Sequence, residues 1–141
     1  MRKEKLTKAA ILLLKSLIKT PSFSSEEHET ALLIESWFKD SDITFNRTNN
    51  NIWANNKYFD ETKPTLLLNS HHYTVKPTKG YTKDPFDPII NAGKLYGLGS
   101  NDAGGCLVSL LATFSFFYHY KNLNYNLVMV ASAEEESSGD N

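Results

Sequence analysis

The residues of this sequence that could do chemistry stand at three separate points: His71, Asp102 and the run Glu134-Glu135-Glu136. An imidazole with several carboxylates is a ligand set for a borderline divalent metal such as zinc. Two such ions need a shared anionic bridge, which one aspartate can supply. A further carboxylate left beside them can take a proton from water that the ions acidify, while the ions polarise a scissile carbonyl. Without a cation, adjacent carboxylates gathered at one place repel each other. Each residue also has an ordinary reading. A histidine after a strand is usually a polar loop residue, and Asp102 could be a helix N-cap, the commoner role. The glutamate run could be a solvated acidic turn.

Other chemistries fit less well. Gly97, Gly99, Gly104 and Gly105 lack the spacing of a dinucleotide fingerprint and the lysine of a phosphate loop. Ser70 is not in a nucleophile-elbow context. Cys106 sits in an apolar helical segment and reads as packed rather than reactive.

The elements that must position these residues can be read from periodicity. Leu6, Ala10, Leu13, Leu14 and Leu17 share one face of a helix over about Lys5–Lys19, stopped by Thr20-Pro21. Ser24 with Glu27 forms a capping box for a second helix that buries Ala31, Ile34, Trp37 and Phe38. Thr44–Arg47 and Ile52–Ala54 are short strand candidates around the turn Asn49-Asn50-Asn51. Thr65–Asn69 is a buried strand with His71 at its C-terminal end, and 76–88 is loop. Lys94–Tyr96 is a strand closed by Gly97 and Gly99. Asp102 then opens a helix carrying Leu107, Leu110, Leu111, Phe114 and Phe117. Leu127–Ala131 is a second buried strand, with Glu134–Glu136 at its C-terminal end. The order implies an α/β fold, a three-layer sheet with helices on both faces. Sites in such sheets form outside the C-terminal strand ends. All three polar clusters then meet at one edge, provided that the two strands are parallel neighbours.

Bulk properties exclude little and suggest a single domain. The chain has 141 residues, 40% hydrophobic and 22% charged, with net charge −1. Such a balance points to no nucleic-acid or acidic-membrane partner. The single cysteine, Cys106, rules out an internal disulfide and fits a reducing compartment. Lys15 and Lys19 interrupt the N-terminal apolar run, which reads as an amphipathic helix rather than a signal peptide. No run is long enough to span a bilayer, so the cytoplasm is the default location.

Taken together, the segments resemble one family: the co-catalytic zinc amidohydrolases and peptidases that include acetylornithine deacetylase, succinyl-diaminopimelate desuccinylase and aminoacylase. Ser70-His71-His72-Tyr73-Thr74-Val75 resembles the family's Ser/Gly-His-x-Asp-x-Val motif. Gly80–Phe86 resembles the loop that follows it. Gly97-Leu98-Gly99-Ser100-Asn101-Asp102 resembles Gly-x-Gly-x-x-Asp, and Ala133–Gly139 resembles the acidic-Glu-Glu motif. The wording around His71–Pro77 looks most similar to the acetylornithine deacetylase branch.

The resemblance implies a role at each matching position. His71 would bind one zinc, Asp102 would bridge two, and Glu136 would bind the other; cobalt or manganese could replace zinc. Glu135 would be the general base, with Glu134 tuning the site. The implied reaction is hydrolysis of an N-acyl amino acid amide in arginine biosynthesis, with a dipeptidase or aminoacylase as the alternative enzyme. A non-catalytic remnant is the third reading.

Two departures bear on this. Tyr73 replaces an aspartate expected to fix the metal-binding histidine, a kind of partner whose loss typically costs about 10–100-fold in affinity or activity. Tyrosine's phenol is the poorer acceptor. His72, pointing the opposite way from His71, would not take over as ligand. Family members also continue well past Asn141. Residues 1–141 therefore read as the N-terminal part of a catalytic zinc-hydrolase domain, without its lid or dimerisation domain and C-terminal part. A homodimer is expected only where that lid is present. Each zinc would have two protein ligands here, His71 with Asp102 and Asp102 with Glu136, where catalytic zinc usually has three.

Overall fold

A computed structural model describes residues 3–23 and 26–133. Helix α1 (Lys3–Lys19) buries Leu6, Ala10, Leu13, Leu14, Leu17 and Ile18. This is the expected face, extended by one residue, and it packs on helix α3 (Gly105–Phe117). Helix α2 (His28–Asp40) buries Ala31, Ile34, Trp37 and Phe38 as its spacing required, with Thr30 added. Its N-cap is Glu27, three residues later than the expected Ser24, which lies outside the described residues. The first turn of α2 faces inward: Glu27 and Thr30 are both fully buried.

Strands β1 (Asn46–Thr48) and β2 (Asn51–Asn55) form a hairpin. Its turn is the asparagine run, where Asn49 takes a positive φ of 54°, a conformation asparagine tolerates better than most residues. Strand β3 (Thr65–His71) extends two residues beyond the expected run and includes His71. Strands β4 (Ile89–Asn91) and β5 (Lys94–Tyr96) form a separate hairpin, of which only β5 was expected from the sequence. Strand β6 (Asn126–Ser132) completes a mixed sheet of order β1-β2-β6-β3.

Strand β6 is antiparallel to β2 and parallel to β3, with Met129 opposite Ala54 on one side and Leu68 on the other. Those three residues share a sheet face because side chains alternate along a strand. Met129 and Ala54 are fully buried, and Leu68 packs against the same core as Ile34, Phe38, Leu107, Leu111 and Phe114 from the helices. The described helices therefore form the helical layer on this face. Leu67, on the opposite face, is 57% exposed. The α/β architecture is the expected one, and its parallel β3–β6 pair sets the C-terminal ends of the two strands side by side.

Candidate metal and catalytic site

Because β3 and β6 run in parallel, their C-terminal ends lie side by side. His71 is registered opposite Ser132, and the ladder continues one step as the His72 N–H donates to the Ser132 carbonyl at 3.1 Å. Ala133, the last described residue, therefore directly follows the residue registered opposite His71. Glu134, Glu135 and Glu136 themselves lie outside the described residues.

Asp102 reaches the same edge, but not from a helix. Its φ of −120° and ψ of 97° are non-helical, and the Asp102–Ala103 peptide is cis. Helix α3 begins three residues later, with Gly104 at its N-cap and no side-chain cap bond. The N-cap reading of Asp102 is thus corrected: its carboxylate is turned toward His71 instead. The turn Ser100–Gly104 that carries it starts from Gly99, at φ 74°. A Cβ on Gly99 would stand 2.5 Å from the Thr74 Cγ2, so only glycine lets the turn pack against the segment after β3.

The central contact is between His71 Nε2 and Asp102 Oδ1, 3.1 Å apart. His71 is 9% exposed, whereas the Asp102 side chain is open to solvent. On the other side of the ring, His71 Nδ1–H donates to the main-chain carbonyl of Tyr73 at 3.0 Å. The tyrosine ring, 1% exposed, stacks on the imidazole with centroids 4.4 Å apart. The acceptor on Nδ1 is the Tyr73 backbone carbonyl, and the tyrosine ring stacks on the imidazole at an interplanar angle of 30°.

His72 points away from the site, as alternation along the chain requires. Its Nε2–H donates to the Asn50 carbonyl at 2.8 Å, and its Nδ1 lies 2.9 Å from the Thr30 hydroxyl. Burial pushes its pKa down from 6.5 to about 4, against the opposing pull of the Asn50 carbonyl; the nearby charges of Arg47 and His71 add to the depression. Near neutral pH it is an uncharged imidazole, with Thr30 donating to Nδ1.

Cys106 corrects a second expectation. It is exposed, and with Asn69, Ser70, His71, Asp102, Ala103 and Ser132 it lines an open recess of about 550 Å³. Helix α3 is apolar around most of its circumference, so periodicity alone did not reveal that Leu107, Val108, Leu111 and Phe114 face the core while Cys106 faces the recess.

The fit of a cation can be judged from His71 alone. Its two ring nitrogens face two acceptors, the Tyr73 carbonyl and the Asp102 carboxylate. A neutral imidazole has one N–H and satisfies only one of them. With Nδ1–H committed to the carbonyl, the Nε2 lone pair confronts Asp102 Oδ1, and a proton or a metal ion between them resolves the conflict. Two donors each about 2.0–2.1 Å from one zinc stand roughly 2.9–3.4 Å apart for angles between a right angle and tetrahedral, and the observed 3.1 Å falls in that range. Among the described residues no third His, Cys, Asp or Glu joins this pair at ligand distance.

Comparison with known proteins places the chain in a family. A succinyl-diaminopimelate desuccinylase of Blochmanniella floridana is 29% identical over 137 residues, 92% of this chain and 36% of the relative. An acetylornithine deacetylase of Edwardsiella ictaluri is 30% identical over 143 residues, 91% of this chain and 36% of the relative. The chain thus spans about a third of the length of these relatives. An M20-family metallo-carboxypeptidase of Sulfolobus solfataricus shares the fold, with a TM-score of 0.73 at 22% identity over 90% of this chain and 31% of that one. Residues 67–141, more than half of the chain and the part that carries His71, Asp102 and the glutamate run, match Peptidase family M20/M25/M40, and the chain belongs to that family.

Proposed function

We propose that this chain carries part of a metal-dependent site for hydrolysing the amide bond of an N-acyl amino acid. The observation that carries the reading is the His71 Nε2 to Asp102 Oδ1 approach of 3.1 Å while Nδ1–H is held by the Tyr73 carbonyl. That pairing presents a nitrogen lone pair and a carboxylate oxygen to one point at the C-terminal end of parallel strands. In this reading His71, Asp102 and Glu136 hold the metal, with Asp102 shared between two ions. Zinc is the favoured ion because imidazole and carboxylate suit it, with cobalt or manganese as substitutes. Bound there, the metal would polarise the scissile carbonyl and make water a better nucleophile. Glu135 is the general base that accepts the water proton and returns it to the leaving amine. Asn69, Ser70 and Ser132 line the recess and offer hydrogen bonds to a polar substrate.

The substrate is an N-acyl amino acid of the acetylornithine type. Succinyl-diaminopimelate is the nearest competitor because a relative of that name is 29% identical to the chain, beside 30% for an acetylornithine deacetylase. A dipeptide is the second alternative, and it uses the same chemistry. The test is calorimetric titration of the chelator-treated chain with zinc, repeated with His71→Ala and Asp102→Asn. Two ions bound by the unmodified chain, with affinity reduced at least about tenfold in each variant, is the expected result. No zinc binding, or binding indifferent to His71, refutes it. Binding of acetylornithine, succinyl-diaminopimelate and a dipeptide to the zinc-loaded chain then separates the substrate readings.

A further inference from the structure

His71 and Asp102 belong to separate segments, and helix α1 with its exit meets both. Past the end of α1, the buried Ser22 offers its carbonyl to the Thr74 N–H at 2.7 Å, which ties it to the segment that follows His71. The body of the helix meets the turn that carries Asp102. A Cβ on Gly97, just before the turn, would stand 2.5 Å from Ile18 Cγ2. One on Gly104, at the end of the turn, would stand 2.6 Å from Leu14 Cδ1. Leu14 and Ile18 are both buried and lie one helical turn apart on the same face. A cavity of about 20 Å³ marks the meeting point: its wall includes Leu14 and Ile18 from α1, His71 and Thr74, and Gly99 and Ala103 from the turn.

The Asp102 turn is non-helical at Asp102 and Ala103, and the Gly104 N–H closes it on the Gly99 carbonyl at 2.8 Å. Such a turn takes its position from what packs on it, and close-packed side chains transmit a displacement rather than absorb it. The tolerance is small. From the observed 3.1 Å, a change of roughly 0.3 Å takes His71 Nε2 and Asp102 Oδ1 to the edge of what one zinc spans. We infer that α1 is the brace that sets this separation, with Leu14 and Ile18 as its positioning residues. They act through the turn and touch no reacting atom. The inference rests on the metal-site reading above.

The test trims the brace with Leu14→Ala and Ile18→Ala on the 141-residue chain. Ile18→Val is the milder variant should either fail to fold, and Leu14→Met restores the lost volume. Leu6→Ala is the control for lost packing alone, because Leu6 is buried on the same helix about 12 Å further along. Three readouts are taken: exchange of the Gly104 amide relative to the Met129 amide of the central strand, the ¹⁵N shift of His71 Nε2, and zinc affinity. In both alanine variants the Gly104 amide should exchange several-fold faster relative to Met129, and the His71 Nε2 signal should move. Zinc affinity should fall about tenfold. Ile18→Val should show the same changes more weakly, Leu14→Met should return all three readouts, and Leu6→Ala should leave them unchanged. Relative Gly104 exchange that is no faster than in Leu6→Ala overturns the brace. Faster exchange with an unmoved His71 signal overturns the positioning role. Failure of the unmodified chain to bind zinc overturns the metal-site reading, and the exchange and His71 readouts still decide the brace.

Discussion

Protonation of His72 should set much of the acid sensitivity of this fold. The side chain is 5% exposed, and burial lowers its pKa from 6.5 to about 4. In the unfolded chain it titrates near its ordinary value. Between these two values the unfolded state binds a proton that the folded state refuses, so stability falls as pH drops from about 6.5 toward 4 and levels off below. Above about 6.5 both states are neutral and the effect vanishes. Carrying the two values through the linkage relation gives a loss of about 2 kcal/mol between pH 7.5 and pH 5, out of a limiting loss of about 3 kcal/mol. With a urea slope of about 2 kcal/mol per molar, the unfolding midpoint moves by about 1 M. The assay is urea unfolding at closely spaced pH values between 5 and 7.5, for the natural chain and for His72→Gln. The variant is less stable throughout, because it disturbs the bonds to Asn50 and Thr30. Its pH dependence over this interval should nevertheless be smaller by the amount assigned to His72. Equal slopes in the two proteins would refute the reasoning, because the proton uptake would then belong to other groups.

Three further outcomes follow from the same geometry. Gly99→Ala should destabilise by about 2 kcal/mol or more, since it puts a Cβ against Thr74 at a φ of 74°; an unchanged unfolding midpoint would contradict the close approach. Tyr73→Asp should destabilise by roughly 3 kcal/mol, by replacing a buried ring with a carboxylate. A variant of natural stability that bound zinc more tightly would show that the carbonyl does not do the orienting. Cys106 should react with Ellman's reagent in the folded chain without denaturant, as an exposed thiol does. Reaction only after unfolding would place it back in the core.

The parts of the fold that periodicity specifies were legible because burial is one-sided there. Helix α1 has one apolar stripe, and Leu6, Ala10, Leu13, Leu14 and Leu17 are all buried. The β3–β6 pairing was a condition that the sequence left open; the two apolar runs were legible as buried strands, and the fold pairs them in parallel. Where a segment is apolar nearly all round, the pattern carries no direction, and so Cys106 was placed on the wrong side of α3. Where the backbone leaves regular structure, residue type says still less. Asp102 has the look of an N-cap, yet the irregular turn Ser100–Gly104 stands between it and the helix. The asparagine run suggested a turn and nothing more, because its use depends on which distant N–H groups the fold delivers to it.

Tyr73 shows why a departure from a family motif need not carry the consequence that side-chain chemistry suggests. A metal-binding imidazole needs an acceptor for its second N–H, and that acceptor can be a carboxylate or a main-chain carbonyl. A carboxylate makes the ring more basic; a carbonyl fixes the same tautomer with less charge. Here the acceptor belongs to the residue two positions after His71, so the local path of the chain supplies it whatever side chain stands there. The side chain serves packing, and the tyrosine ring stacks on the imidazole at an interplanar angle of 30°. Orientation of His71 is thereby separated from its basicity. In the metal-site reading, the charge that a family aspartate would bring is lost, while the direction of the Nε2 lone pair toward Asp102 is kept.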